Sequence, residues 1–105
     1  MPIATLVEWT EPTPGLDSAQ SYEDITLLAN DGKPMEQLSD WGSGLIAHFA
    51  SPTDNGGWLV IDVWEDEQSM EAWNERLQGA FGKYERGQDI APPEVRVLET
   101  HRHVT

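Results

Sequence analysis

The stretch GWLVIDVWEDEQSMEAW, residues 57 to 73, constrains the fold most, because its apolar period changes halfway along. From Trp58 to Trp64 the chain alternates. Leu59, Ile61 and Val63 fall on one side, and Trp58, Val60, Asp62 and Trp64 on the other. From Met70 the apolar residues Met70, Trp73, Leu77, Ala80 and Phe81 recur at helical spacing. A period of two followed by a period near 3.6 is a strand running into an amphipathic helix. Asp66 stands where a helix N-cap belongs, and Glu67 favours the positive end of the helix dipole. Asp62 is a lone carboxylate on the two-tryptophan side of the strand, and an acid there needs a partner or a chemical role.

The same logic extends along the chain. Residues 3 to 9, IATLVEW, predict a first strand, ended by Pro12, Pro14 and Gly15. Asp17 and Gln20 offer a capping box for a helix from about Ser18 to Ala29, with Ala19, Tyr22, Ile25, Leu28 and Ala29 on its apolar face. Asn30, Asp31 and Gly32 end that helix. Pro34 opens a short helical turn carrying Met35, Leu38 and Trp41. Residues 44 to 50, GLIAHFA, predict a second strand, and SPTDNGG is the loop of a hairpin into the third. A second helix covers about Glu67 to Phe81, and residues 94 to 104 predict the last strand.

The order is βαββαβ, an α+β, ferredoxin-like pattern: an antiparallel sheet with two helices on one face. The other sheet face is then bare. The third strand is mostly apolar on both sides, so both must be covered, and a second copy of the chain is the simplest cover. A homodimer is expected.

Composition narrows the function classes. A chain of 105 residues fits one domain with one modest core. No secretory leader is recognisable and no apolar run approaches the ~18 residues of a membrane span, so no membrane association is expected. There is no cysteine, which excludes disulfides, thiolate metal sites and a cysteine nucleophile and fits a cytoplasmic home. Six Lys+Arg against 19 Asp+Glu leave a net charge of -13, which repels nucleic acid and anionic lipid. The acids are spread along the chain without a long run, as in a solvated acidic surface.

The run WEDEQSMEAW resembles the strand-to-helix junction of the dimeric α/β-barrel superfamily, which includes the antibiotic biosynthesis monooxygenase family. There the usual form is Trp-Glu-Ser, an acidic helix start, then an aromatic residue. Here Asp66 replaces the serine. The resemblance implies one such domain over residues 1 to 105, with two sheets packed into a barrel in the dimer and a pocket between each sheet and its own helices. It implies that Leu59, Ile61 and Val63 face the partner's sheet, and that Trp58, Val60, Asp62 and Trp64 lie under the helices. Trp73 matches a helix position where relatives place a pocket aromatic.

Pairing the hairpin about Asp54 or Asn55 sets His48 opposite Asp62 on the same face, whereas a slip of one residue would turn His48 to the other face. In the first register Asp62 fixes the tautomer of His48, and His48 is a candidate general base. The other reading of the pair is a buried structural hydrogen bond. Trp58, Trp64 and Trp73 suit a planar aromatic ligand, and Val60 and Tyr22 complete the expected substrate-binding wall. Trp9 and Trp41 are assigned to core or interface packing. Glu8 would be a second acid beside the pair if it points inward. His101 and His103 share a face of the last strand but lack a third metal ligand, so no metal site is expected. No phosphate-binding loop or nucleophile elbow is present.

Departures from the family narrow the resemblance. Haem-degrading relatives use an asparagine on the first strand and a histidine late in the second helix. Residues 3 to 9 hold no asparagine and residues 67 to 83 no histidine, with Lys83 near the expected place. The pocket histidine that plant-type polyketide cyclases carry on that helix is also missing. Oxygenase relatives that act on anthrone-like substrates need no metal or flavin and rely on substrate deprotonation. The resemblance therefore implies cofactor-independent acid/base chemistry, with His48 and Asp62 as the candidate base pair, on a hydrophobic aromatic or polyketide-like molecule, as a monooxygenase or a cyclase/isomerase. The alternative is a non-catalytic small-molecule-binding or stress-response protein on the same fold.

Overall fold

The computed structural model describes residues 2 to 99. Strand β1 (Ile3–Trp9) is followed by helix α1 (Ala19–Ala29), and strands β2 (Leu45–Pro52) and β3 (Trp58–Trp64) form the hairpin. Helix α2 (Glu67–Lys83) and strand β4 (Glu94–Glu99) complete the order, and the remainder of the predicted last strand, with His101 and His103, lies outside the described residues. The sheet runs β2-β3-β1-β4, antiparallel throughout, which is the ferredoxin-like arrangement. No helix among the described residues is long and apolar enough to cross a membrane.

Local chemistry sets the element ends. Ser18, not Asp17, caps α1: its hydroxyl accepts from the Ser21 N–H at 3.1 Å, and the Ser21 hydroxyl accepts from the Ser18 N–H at 3.1 Å. The carboxylate of Asp17 is taken up elsewhere, by both Nη atoms of Arg86 at 2.6 and 3.3 Å. Helix α1 stops where Asp31 and Gly32 adopt positive φ and Gly32 N–H reaches back to Leu27 O at 2.8 Å. The turn expected from Pro34 shrinks to a single 3-10 turn, Leu38–Asp40. The Asp40 carboxylate accepts the Glu36 and Gln37 N–H groups, and Leu38 stays in solvent. Asp66 caps α2 by accepting from Ser69 N–H at 2.8 Å, and the helix runs two residues past Phe81, to Lys83.

Strand alternation divides the sheet into two unlike faces. Ile3, Thr5, Val7 and Trp9 pair with Trp64, Asp62, Val60 and Trp58 on the face under the helices. The core lies there, built on Trp9, Ile25, Leu45, Trp58, Trp64, Met70 and Trp73. Ala4, Leu6, Ala47, Phe49, Leu59, Ile61, Val63 and Leu98 share the other face, which no helix covers. Phe49 is 53% exposed there. Glu8 pairs with Leu59 and Glu94 on this outer face, so it is not a second acid beside His48. Its alternation with Val7 and Trp9 turns it away.

Candidate functional site

The site begins with an irregularity in β2. Leu45 pairs with Trp64 and Ala47 with Val63, so Ile46 is an extra residue in the ladder. Such a bulge reverses the facing of the residues beyond it. It lets both Leu45 and His48 point under the helices and places His48 directly opposite Asp62. The pair is hydrogen-bonded, His48 Nδ1 to Asp62 Oδ1, with the side chains only 12% and 5% exposed. On the other side of Asp62 the cross-strand neighbour is Thr5, also buried.

Helix α1 supplies the third member. The Tyr22 hydroxyl lies 2.5 Å from His48 Nε2. Its ring stacks on Trp58, with centroids 5.6 Å apart and planes within 9°. Burial chiefly, then the charges of Asp62 and Glu23, push the phenol well above its ordinary range, so Tyr22 keeps its proton. The proton order follows. A carboxylate only accepts, so in neutral His48 it draws the ring proton to Nδ1, leaving Nε2 to accept from the Tyr22 hydroxyl. Asp62, His48 and Tyr22 thus form one hydrogen-bonded chain from sheet to helix.

This chain lines a cavity of about 90 Å³ between sheet and helices, large enough for several waters. Of the residues expected to form a substrate-binding wall, Trp58, Val60, Trp73 and Tyr22 line it. Trp64 does not. It is fully buried at the far end of β3, between the cross-strand neighbours Ile3 and Leu45, and is not part of the cavity wall. Its place is taken by Trp41, which the sequence assigns to packing. The Trp41 ring sits 4.5 Å from the His48 ring, centroid to centroid, tilted by 36°. Among the described residues its indole Nε1 is the one buried side-chain polar atom without a hydrogen-bond partner. Trp9 also lines the cavity, but its N–H is satisfied by Ala91 O at 2.6 Å. Val95 and Val97 of β4 line the space and are exposed, so the cavity opens on that side.

Arg76 of α2 holds the Trp41 side of the cavity in place. It donates to the carbonyls of Ala29 at 2.9 Å, Asp40 at 3.0 Å and Trp41 at 2.8 Å. Its guanidinium lies 5.3 Å from the Trp73 ring centre. The sequence carries no signal for this clamp, nor for the Tyr22–His48 contact, because both join segments far apart in the chain. Among the described residues no group of three or more His, Asp or Glu is placed to hold a metal ion.

No family model matches the chain, and no curated protein does. Solved structures do match, over nearly the whole length. A putative antibiotic biosynthesis monooxygenase from Chloroflexus aurantiacus aligns at TM-score 0.61 and 13% identity, covering 99% of this chain and 98% of its own. A Nitrosomonas europaea protein of unknown function aligns at 0.67 and 18%, covering 99% and 93%. A Streptomyces coelicolor monooxygenase, crystallised with the ligand nanaomycin D, aligns at 0.56 and 15%, covering 98% and 90%. The fold is that of the antibiotic biosynthesis monooxygenase-like proteins. At these identities the likeness is one of fold, and the chemistry has to be argued from the site itself.

Proposed function

We propose that this protein is an acid/base enzyme acting on a hydrophobic, planar aromatic or polyketide-like molecule without a bound cofactor, by monooxygenation or by cyclisation or isomerisation. One observation carries the reading: the Asp62–His48–Tyr22 chain forms part of the wall of an apolar, indole-lined cavity open at β4. A polar chain of this kind is costly in an apolar wall unless each member is paired, and it is poised to take up a proton there. That fold neighbours include monooxygenases, one holding nanaomycin D, supports this ligand class. The protein would work as a homodimer through the uncovered sheet face, in the cytoplasm on the ground of its missing cysteines.

The test uses a hydroxylated anthrone in air-saturated buffer. Purified protein should consume it, and His48→Ala should lower turnover by roughly 10²–10⁴-fold, the usual contribution of a general base. Quenching of tryptophan fluorescence by the corresponding anthraquinone should survive the substitution. Equal turnover in the wild type and His48→Ala would remove acid/base catalysis by this site.

A second reading rests on the same geometry. Both nitrogens of His48 already have partners, as in a purely structural network. Saturable quenching with no turnover of any hydroxyaromatic would favour a small-molecule-binding protein.

A further inference from the structure

We propose that Tyr22 is the residue of this site that touches the substrate, and that it relays the substrate's proton to His48. The inference rests on the acid/base reading above and adds a catalytic residue to it. His48 Nδ1 is engaged by Asp62, and Nε2 faces the Tyr22 hydroxyl at 2.5 Å. Neither nitrogen is free for an incoming acid. The Tyr22 oxygen is different: a phenol that donates its one proton keeps lone pairs with which to accept another. Tyr22 and His48 both line the cavity, and with both ring nitrogens engaged the Tyr22 oxygen is the atom of this pair left to accept from an acidic O–H or C–H group of a bound ligand.

The step balances without any further reactant. The substrate's X–H bond breaks and its proton joins the Tyr22 oxygen. The Tyr22 O–H bond breaks and that proton joins His48 Nε2. The substrate keeps the electron pair as an anion, Tyr22 ends neutral, and His48 becomes an imidazolium beside the Asp62 carboxylate. Reversing the two transfers restores the site.

The surroundings suit a relay better than a standing phenolate. Burial and two neighbouring carboxylates keep the Tyr22 proton in place, so it leaves only as another arrives. The side chain is also held still. Its ring lies flat on Trp58, and its backbone sits one turn into the capped helix, with Thr26 Oγ1 donating to Tyr22 O at 3.2 Å. Asp62, which in this relay acts through His48, is a positioning residue.

The experiment compares the wild type, Tyr22→Phe and His48→Ala, using para-nitrophenol as a coloured phenol and the hydroxylated anthrone for turnover. Tyr22→Phe removes one oxygen and keeps the stack on Trp58. The wild type should hold para-nitrophenol as its visible anion at a pH where free probe is neutral. Tyr22→Phe should lose that anion band, bind the probe within a few-fold of the wild type, and turn over the anthrone roughly 10²–10⁴-fold more slowly. Retained or faster turnover in Tyr22→Phe, with His48→Ala inactive, would overturn the relay and leave His48 as the direct base. Full turnover in His48→Ala would instead defeat the acid/base reading, and the relay with it. Should Tyr22→Phe fail to fold, a ring-fluorinated tyrosine at position 22 keeps shape and hydroxyl but is more acidic. The relay then requires a shifted pH profile of turnover, and an unshifted one overturns it.

Discussion

The two faces of the sheet present opposite problems. The helix-covered face sets an aspartate, a histidine and a threonine among tryptophans. The bare face leaves Phe49 and Leu98 exposed and Leu59, Ile61 and Val63 half-buried, with no helix over them. Strand β3 contributes to both by alternation, Trp58, Val60 and Asp62 inward and Leu59, Ile61 and Val63 outward. The inner face solves its problem within one chain, since each acid or base there has a hydrogen-bond partner. The outer face has no such solution within the chain. The comparison teaches that the polar groups of the inner face are satisfied within one chain, which is where the proposed chemistry would lie, while the outer face is left for the proposed second copy.

Breaking the outer face should have the largest effect. The proposed homodimer should bury well over the ~1,000 Å² of a specific interface. Ile61→Asp places a charge at its centre and should abolish the dimer, giving monomeric or insoluble protein. Sedimentation of the wild type at its monomer mass of 11.8 kDa, at micromolar concentration, would show that the bare face has no partner copy.

Breaking the inner face should spare assembly and lower activity. Asp62→Asn keeps the shape and a hydrogen bond to His48 but loses the negative charge. Its turnover on the hydroxylated anthrone should fall by less than that of His48→Ala, with an unchanged sedimentation profile. A loss as large as that of His48→Ala would mean the charge matters as much as the ring it orients.

A titration sharpens the contrast further. Tyr22 on the inner face keeps its proton above the ordinary value of 10.0, mainly through burial. As pH rises past 10.0, the unfolded chain loses that proton while the folded chain retains it. Stability therefore declines from that point upward, until the pH passes the raised folded value. Urea unfolding at pH ~9 and ~11 should show this decline, reduced in Tyr22→Phe, by the linkage of proton binding to folding. An identical decline in both proteins would assign the effect elsewhere.

The smallest effect should come from a site on neither face. Ser18→Ala removes the cap of α1 and should cost about 1 kcal/mol in chemical unfolding. If it also lowers turnover, the helix cap is holding Tyr22 in place.

The strand-to-helix switch at residues 57 to 73 was legible because two periods meet at a capping aspartate. The facing of His48 and Asp62 was legible because a short hairpin leaves few registers. The bulge at Ile46 was not, since no glycine or proline marks it. That Trp41 and not Trp64 lines the cavity was hidden for a related reason. Alternation tells which way Trp64 points but not that the far end of β3 is sealed, and the short spacing-of-three pattern around Trp41 does not tell that its turn lies against the sheet. Ser18 displaced Asp17 as cap because an arginine 69 residues away holds the aspartate. The link from Tyr22 to His48 spans helix and sheet, and no local pattern encodes it.

The Arg76 clamp has a consequence for how this protein can diverge. Each of its hydrogen bonds ends on a main-chain carbonyl, at Ala29, Asp40 or Trp41, and none on a side chain. A tie to the backbone is indifferent to which residue supplies the carbonyl. The bond at position 41 does not depend on the indole, so Trp41 can be exchanged for another residue while the loop that carries it stays anchored. The shape of the cavity wall is thereby open to drift by single substitutions, at a point where the architecture does not have to move.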